Sequence, residues 1–339
     1  MTGDGTYARG MWRQVATIAF GSMVIIGCTD GDADPPDESA DTATSSSAAP
    51  TAESPTATTK DPPAKKAKPF DSGSVLADVR QLANRIGPRE ATSPAFRQAT
   101  RFVMERFSSL GYEVRRTKVP VPAGDSWGVP VDAGVSFNVI ADPPDFQPGD
   151  RHRIIGAHLD SVAVSPGAED NASGTSVMLE LARMAAEQTP ATPVRFVAFG
   201  AEEPRGETDD LHHFGSTAYV RGMSRAERTN LVGMVALDRV GVAAPAVPIC
   251  NAGPNGSDLR RELRRAARSA GVPSTSCEDR ASDHWSFEKA GVPAARLGSI
   301  SYAGYHSARD LPHFVDAQQV RHVGRIMWRW MRGSPESGP

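Results

Sequence analysis

Three stretches decide the fold: RIIGAHLD at residues 153–160, EDNASGTSVMLELARMAAE at 169–187 and VRFVAFGAEE at 194–203. The first and third carry short apolar runs, Arg153–Ala157 and Val194–Phe199, of the kind that form strands buried on both faces. Between them, Asn171–Glu187 places apolar side chains at three- and four-residue steps, which is the period of a helix. Polar residues stand at the ends of these segments. His158 and Asp160 follow the first strand, Glu202 and Glu203 follow the second, and Asp170 precedes the helix.

The same alternation extends outward. Upstream, Val75–Arg85 and Pro94–Leu110 read as amphipathic helices, the second stopped by Gly111. Tyr112–Val119 and Val135–Ile140 read as strands. Downstream, Leu231–Leu237 is an apolar strand ending at Asp238, and Asp258–Ala270 and Asp316–Arg332 read as helices. Strands alternating with helices predict a three-layer α/β/α sandwich with a central mixed, mostly parallel sheet. Residues 71–335 form one such domain, without an internal repeat. In open α/β sheets, sites form outside the carboxyl ends of the strands, which is where these polar residues fall.

The first seventy residues have a different character. Arg9 and Arg13 precede an uncharged apolar run, Val15–Ile26. The run is shorter than the ~20 residues a spanning helix needs and suits a signal peptide over 1–27. It closes on Gly27-Cys28, which resembles the lipobox of bacterial lipoproteins, in which the cysteine is lipidated. The expectation is therefore an extracytoplasmic protein, anchored to the bacterial cell membrane through Cys28 alone. Residues 28–70, rich in Ser, Thr, Pro, Ala and Asp, lack the apolar side chains that would offset ordering entropy and read as a disordered linker. With 37 Lys+Arg against 40 Asp+Glu, the chain gives no sign of a nucleic-acid partner. Cys250 and Cys277 remain. An exported setting favours a disulfide between them, and two buried thiols are the other reading.

Five segments carry the chemistry: residues 157–160 (AHLD), 169–174 (EDNASG), 200–203 (GAEE), 237–238 (LD) and 304–307 (GYHS). Two histidines with several carboxylates match what zinc takes as ligands, and two metals roughly 3.5–4 Å apart can clamp the oxygens of a tetrahedral intermediate. In order and type, the segments resemble the co-catalytic zinc exopeptidases typified by bacterial leucyl aminopeptidase. The later Ser282-Asp283-His284 and Gly291-Val292-Pro293-Ala294 fit as well. The resemblance implies two zinc ions per chain and a monomer acting on peptides. Asp170 would bridge the metals, His158 and Asp238 would complete one site, and Glu203 and His306 the other. Glu202 would be the general base, Tyr305 would help stabilise the oxyanion, and Asp160 would orient His158. Asp283 and His284 would support the site without ligating. A cis peptide between Asp170 and Asn171 is also implied.

Singly, each residue has a plainer reading. Asp170 could be a helix N-cap, Glu202 and Glu203 solvated acids, Tyr305 a packing aromatic. Only the ordered set argues for a site. Other amide chemistry on the same fold, a carboxypeptidase or a glutaminyl cyclase, is the nearest alternative, and Arg205, Arg239, Arg296 and Arg309 are possible clamps for a substrate carboxylate. A non-catalytic binding lipoprotein is the remaining one. Gly124–Gly128 matches G-x-S-x-G but is flanked by prolines, not by a strand and a helix, and reads as a loop. His212 and His213 lie in a polar stretch, Pro204–Phe214, that is either a solvated loop or a substrate rim.

Overall fold

The computed structural model describes residues 68–333. The signal peptide, Cys28 and nearly all of the linker lie outside the described residues. Helix α1 (Ser72–Arg80) runs on into a wider turn, Gln81–Ile86, and is followed by α2 (Pro94–Ser109). Ser93 caps α2 through its hydroxyl, and Pro94 starts it where a missing N–H costs nothing. Strand β1 (Glu113–Val121) follows, then the short pair β2 (Gly124–Asp125) and β3 (Pro130–Val131), then β4 (Gly134–Asp142) and β5 (His152–His158). Next come α3 (Gly174–Glu187), β6 (Val194–Phe199), α4 (Phe214–Gly222), α5 (Arg225–Asn230) and β7 (Leu231–Asp238). The chain ends with β8 (Val247–Asn251), α6 (Ser257–Ser269), β9 (Ser274–Glu278), α7 (His284–Lys289), β10 (Ala294–Gly298) and α8 (Ala317–Met331).

Eight strands form one sheet in the order β1-β4-β6-β5-β7-β10-β8-β9. The centre, β6-β5-β7-β10, is parallel, while β1, β4 and β8 join by antiparallel pairing. The sheet is thus mixed with a parallel core. Side chains alternate between its faces as strand geometry requires. From β7, Val235 and Leu237 enter the larger core with α1, α2, α3, α6 and α8; Met234 and Ala236 enter the smaller one with Tyr219 of α4 and Phe287 of α7. Both faces are covered, giving three layers.

Strands β2, β3, β8, β9 and β10 and helices α4, α5 and α7 are additions to the elements read from the sequence; β2 opens the Gly124–Gly128 stretch, which reads as a loop in the sequence, and pairs with β3. Cys250 and Cys277 face each other in the parallel β8–β9 pair and are joined by a disulfide, with Cα atoms 4.4 Å apart. Helix α3 starts at Gly174 instead of Asn171, because Asp170 and Asn171 have non-helical backbones and the peptide between them is cis. Asn171 takes the capping role anticipated for Asp170. Its Oδ1 accepts from Gly174 N at 3.0 Å and its Nδ2 donates to Leu237 O at 2.8 Å. Gly174 is required there, since a Cβ would collide with the Leu237 carbonyl. This close approach brings the Asp170 turn against the end of β7.

Candidate active site

His158 is the last residue of β5 and Asp238 the last of β7; Glu202 and Glu203 lie just beyond β6, and His306 lies in the loop after β10. All four segments therefore meet at the carboxyl edge of the parallel strands. Asp170 stands between the two histidines. Its Oδ1 is 3.2 Å from His158 Nε2 and its Oδ2 is 3.3 Å from His306 Nε2. His158 Nε2 is also 3.6 Å from Asp238 Oδ1, and His306 Nε2 is 3.1 Å from Glu203 Oε2. The result is two clusters of donors that share one carboxylate. All five residues are buried.

Several of these buried donors have no hydrogen-bond partner: both nitrogens of His158, Asp238 Oδ1 and Glu203 Oε1. Unpaired buried polar atoms are expensive, and His158 Nε2, Asp238 Oδ1 and Glu203 Oε1, distributed over the two clusters, fit bound cations. The charge balance agrees. Burial, reinforced by Asp170, pushes Glu203 up to about 8. Burial does the same to Glu202, also to about 8, with His158 opposing and Asp238 and Asp170 adding to the rise. Glu202 and Glu203 are thus crowded by neighbouring carboxylates, whereas burial would raise Asp170 but His158 and His306 hold it down. Donors of His158, Glu202 and Asp238, and of His158, Asp170 and Glu203, lie within 4.8 Å of one another in each triple. Glu202 differs from the rest in orientation. Its Oε1 faces His213 Nε2 at 3.3 Å, while its Oε2 stays 4.0 Å from His158.

The supporting contacts are dense. Asp160 accepts from the backbone N–H groups of both Glu202 and Glu203 at 3.1 Å. Its Oδ1 is 3.7 Å from His158 Nδ1, beyond hydrogen-bond length, so its main work is to hold the Glu202–Glu203 turn. Asp310 accepts from the N–H groups of Glu169 and Asp170, and Glu169 Oε1 accepts from those of Gly241 and Val242. Fully buried Arg89 donates to the carbonyls of Leu159 and Gly167, tying β5 to the Asp170 turn. Fully buried Arg296 approaches Asp238 Oδ2 at 2.9 Å and Asp279 at 2.6 Å. Burial alone would raise Asp238, but Arg296 and His158 overcome it and hold the carboxylate below its usual range. Asp310, Glu169, Arg89 and Arg296 were not singled out as supports from sequence. Glu169, next to Asp170, and Asp310, four residues past His306, offered local signals; Arg89 and Arg296 offered none.

Other sequence candidates fall into place around a small cavity of about 110 Å³ lined by the acidic cluster, Trp127, His212, His213, Arg239 and Tyr305. Tyr305 is 40% exposed, with its ring stacked on His306 at 3.8 Å, so it faces the mouth. Trp127 meets His306 edge-on at 4.3 Å. The neighbouring Ser126 is buried and accepts from Ala163 N, as a structural loop residue would. The stretch Pro204–Phe214 has both characters: Pro204, His212 and His213 line the cavity, with His213 only 3% exposed, while Glu207–Asp210 face solvent. Asp283 is fully buried with both oxygens unpaired, and its closest charged neighbours include Glu202, His158 and His213. His284 sits farther back, 2.9 Å from the Asp279 carbonyl.

This fold and site define a metal-dependent peptidase class, and the comparisons give it a family. Residues 138–331, more than half of the chain, match the model of peptidase family M28, and the chain belongs to that family. It is 37% identical over 181 residues to aminopeptidase YwaD of Bacillus subtilis, covering 50% of this chain and 38% of that protein. The chain spans about half or less of the length of the curated relatives it matches. Among solved structures it resembles the zinc aminopeptidase BSAP of B. subtilis, with a TM-score of 0.69 and 20% identity over 80% of this chain and 97% of that one. It also resembles the Fimbriiglobus ruber glutaminyl cyclase, with a TM-score of 0.65 and 25% identity over 79% and 96%.

Proposed function

We propose that this chain is a zinc-dependent aminopeptidase holding two zinc ions, with Asp170 as the shared ligand. The observation that carries this reading is the split of the Asp170 carboxylate, one oxygen toward each histidine. His158 and Asp238 would complete one metal site, and His306 and Glu203 the other. Bound there, the metals would polarise the scissile carbonyl and lower the pKa of a water. Glu202 would take the proton of that water and return it to the leaving amine. Although it lies within reach of His158 and Asp238, its Oε2 stays 4.0 Å from His158 Nε2, farther than Asp170 or Asp238, and its Oε1 faces His213, which supports a role other than ligation. Tyr305, at the mouth, would donate toward the developing oxyanion. Unspent carboxylate oxygens in the cavity suit a substrate with a free α-amine.

The test is a panel of free and N-acetylated aminoacyl amides with the zinc-loaded protein. Cleavage confined to the free-amine set supports an aminopeptidase; cleavage of blocked substrates from the C-terminus refutes it. An N-terminal glutaminyl peptide in the same panel separates the two chemistries found among structures of this fold. Release of free glutamine marks hydrolysis, and release of ammonia with a cyclised product marks a cyclase.

The finer reading of the N-terminus, that Cys28 carries a lipid holding a monomeric enzyme outside the cell membrane, rests on the Arg9–Cys28 pattern. Mass spectrometry of the mature N-terminus should find a diacylglyceryl group on Cys28. Unmodified protein in the medium, unchanged by Cys28→Ser, would overturn it.

A further inference from the structure

Four arginines were open as clamps for a substrate carboxylate, and the structure separates them. Arg205 is committed to Glu90 and to the carbonyls of Pro122 and Asp132. Arg296 is spent on Asp238, Asp279 and the Ala281 carbonyl. Arg309 is exposed and does not line the cavity. Of the four, Arg239 alone combines a place in the cavity wall with a head group that makes no hydrogen bond among the described residues and only one loose ion pair, to Asp238. It follows Asp238 directly with a left-handed backbone, φ 52°, and its N–H donates to Asn171 Oδ1. That turn swings the side chain to the mouth, where the guanidinium lies over the Tyr305 ring at 4.6 Å. Only 14% of the side chain is exposed, its nearest carboxylate is Asp238 Oδ1 at 3.8 Å from Nε, and it makes no side-chain hydrogen bond among the described residues. An arginine held over an aromatic ring by its central carbon still has N–H groups to offer a planar anion.

We propose that Arg239 is the specificity-determining residue of this site and that it selects substrates bearing a carboxylate next to the scissile bond. The carboxylate is either the acidic side chain of the N-terminal residue or the C-terminus of a dipeptide. Both present the same planar anion. The proposal rests on the two-metal peptidase reading, because bound cations would offset the acidic cluster that otherwise repels such a substrate. Arg239 acts on binding and takes no part in proton transfer.

The experiment uses the full chain loaded with zinc, as wild type, Arg239→Met and Arg239→Lys. Two matched pairs are assayed: glutamyl- against glutaminyl-p-nitroanilide, and Leu-Ala against Leu-Ala amide. In Arg239→Met, the charged-to-neutral ratio of kcat/KM should fall roughly 10- to 100-fold in one pair, as loss of charge-assisted hydrogen bonds predicts. The fall should lie in KM, and Arg239→Lys should recover part of it. The responding pair identifies the source of the carboxylate. If wild type cleaves the neutral substrates but neither ratio moves in the variant, this inference is wrong and the peptidase reading stands. If wild type cleaves nothing, the peptidase reading fails. Calorimetric binding of glutamate against glutamine, and of Leu-Ala against its amide, then decides the role of Arg239. Unchanged charged-to-neutral affinity ratios in wild type and Arg239→Met overturn it.

Discussion

Asp160→Asn separates the two tasks a carboxylate can have at this site. Asp160 is fully buried, and each oxygen accepts one backbone N–H, from Glu202 and from Glu203, both at 3.1 Å. Asparagine offers one carbonyl and one NH2 group. In either orientation one backbone N–H must face another donor. One charge-assisted hydrogen bond is lost, about 1.5–3 kcal/mol, and a buried N–H is left unpaired. For a domain of this size roughly 2–4 °C of Tm accompanies each kcal/mol, so Tm should fall by about 5–10 °C. Melting is to be measured after chelation, so that altered metal binding does not mask the loss. Activity should fall more steeply than stability implies. The disturbed turn carries both the proposed base and a proposed ligand, and a displacement near 1 Å can cost about 10²-fold. If Asp160 served only to orient His158, the chelated protein would melt like wild type and only metal content would change. That result would refute the argument from backbone capping.

Three further outcomes are expected. Glu202→Gln should keep two zincs per chain while kcat falls about 10²- to 10⁴-fold, whereas Glu203→Gln should lose zinc and partly recover with excess metal; elemental analysis beside kcat reads both, and the opposite pattern means the roles are reversed. Replacing Cys250 and Cys277 together with serine opens a loop of 27 residues' separation, for which chain entropy gives about 3–4 kcal/mol; an unchanged urea midpoint would show the bond to be neutral. His284 is held down to about 4, by burial first and then by Arg296, against ~6.5 in an unfolded chain. Its contribution is therefore complete above pH 6.5 and shrinks by up to about 3 kcal/mol as pH falls to 4. His284→Gln should flatten urea-measured stability over that window, and an unaltered slope would contradict the assignment.

The central strands were legible because β5, β6 and β7 are buried on both faces and so read as continuous apolar runs. β10 was not, since its middle residue is Arg296, which hydropathy reads as surface although ion pairs allow it to be fully buried. β9 is a half-exposed edge strand whose STSCE sequence carries no apolar period. The start of α3 was misplaced because helical spacing continues through Asn171, and nothing in that spacing reports a backbone turned by side-chain contacts to β7. For the site, residue types in order along the chain pointed to His158, Asp170, Glu202, Glu203, Asp238 and His306; four of them stand at or just past strand ends, while Asp170 precedes α3 and His306 lies in the loop after β10. Arg89 and Trp127 reach the same place from loops distant in sequence, and only the folded chain brings them there.

The fold itself does not choose among amide chemistries, since a zinc aminopeptidase and a glutaminyl cyclase both superpose on this chain. The choice must lie where the ligand set ends and the rim begins. Here the rim is built from four separate segments: Trp127 after β2, His212 and His213 before α4, Arg239 after β7 and Tyr305 after β10. The buried His213 reaches Glu202 Oε1 at 3.3 Å, so the rim touches the proposed base as well as the cavity. Arg239 adds to this wall a cation bound less tightly than Arg296, which also lines the cavity but is held by Asp238 and Asp279. A metal site of this kind supplies the power to break an amide. The rim decides which amide is presented, because only contacts that differ between competing substrates can discriminate between them.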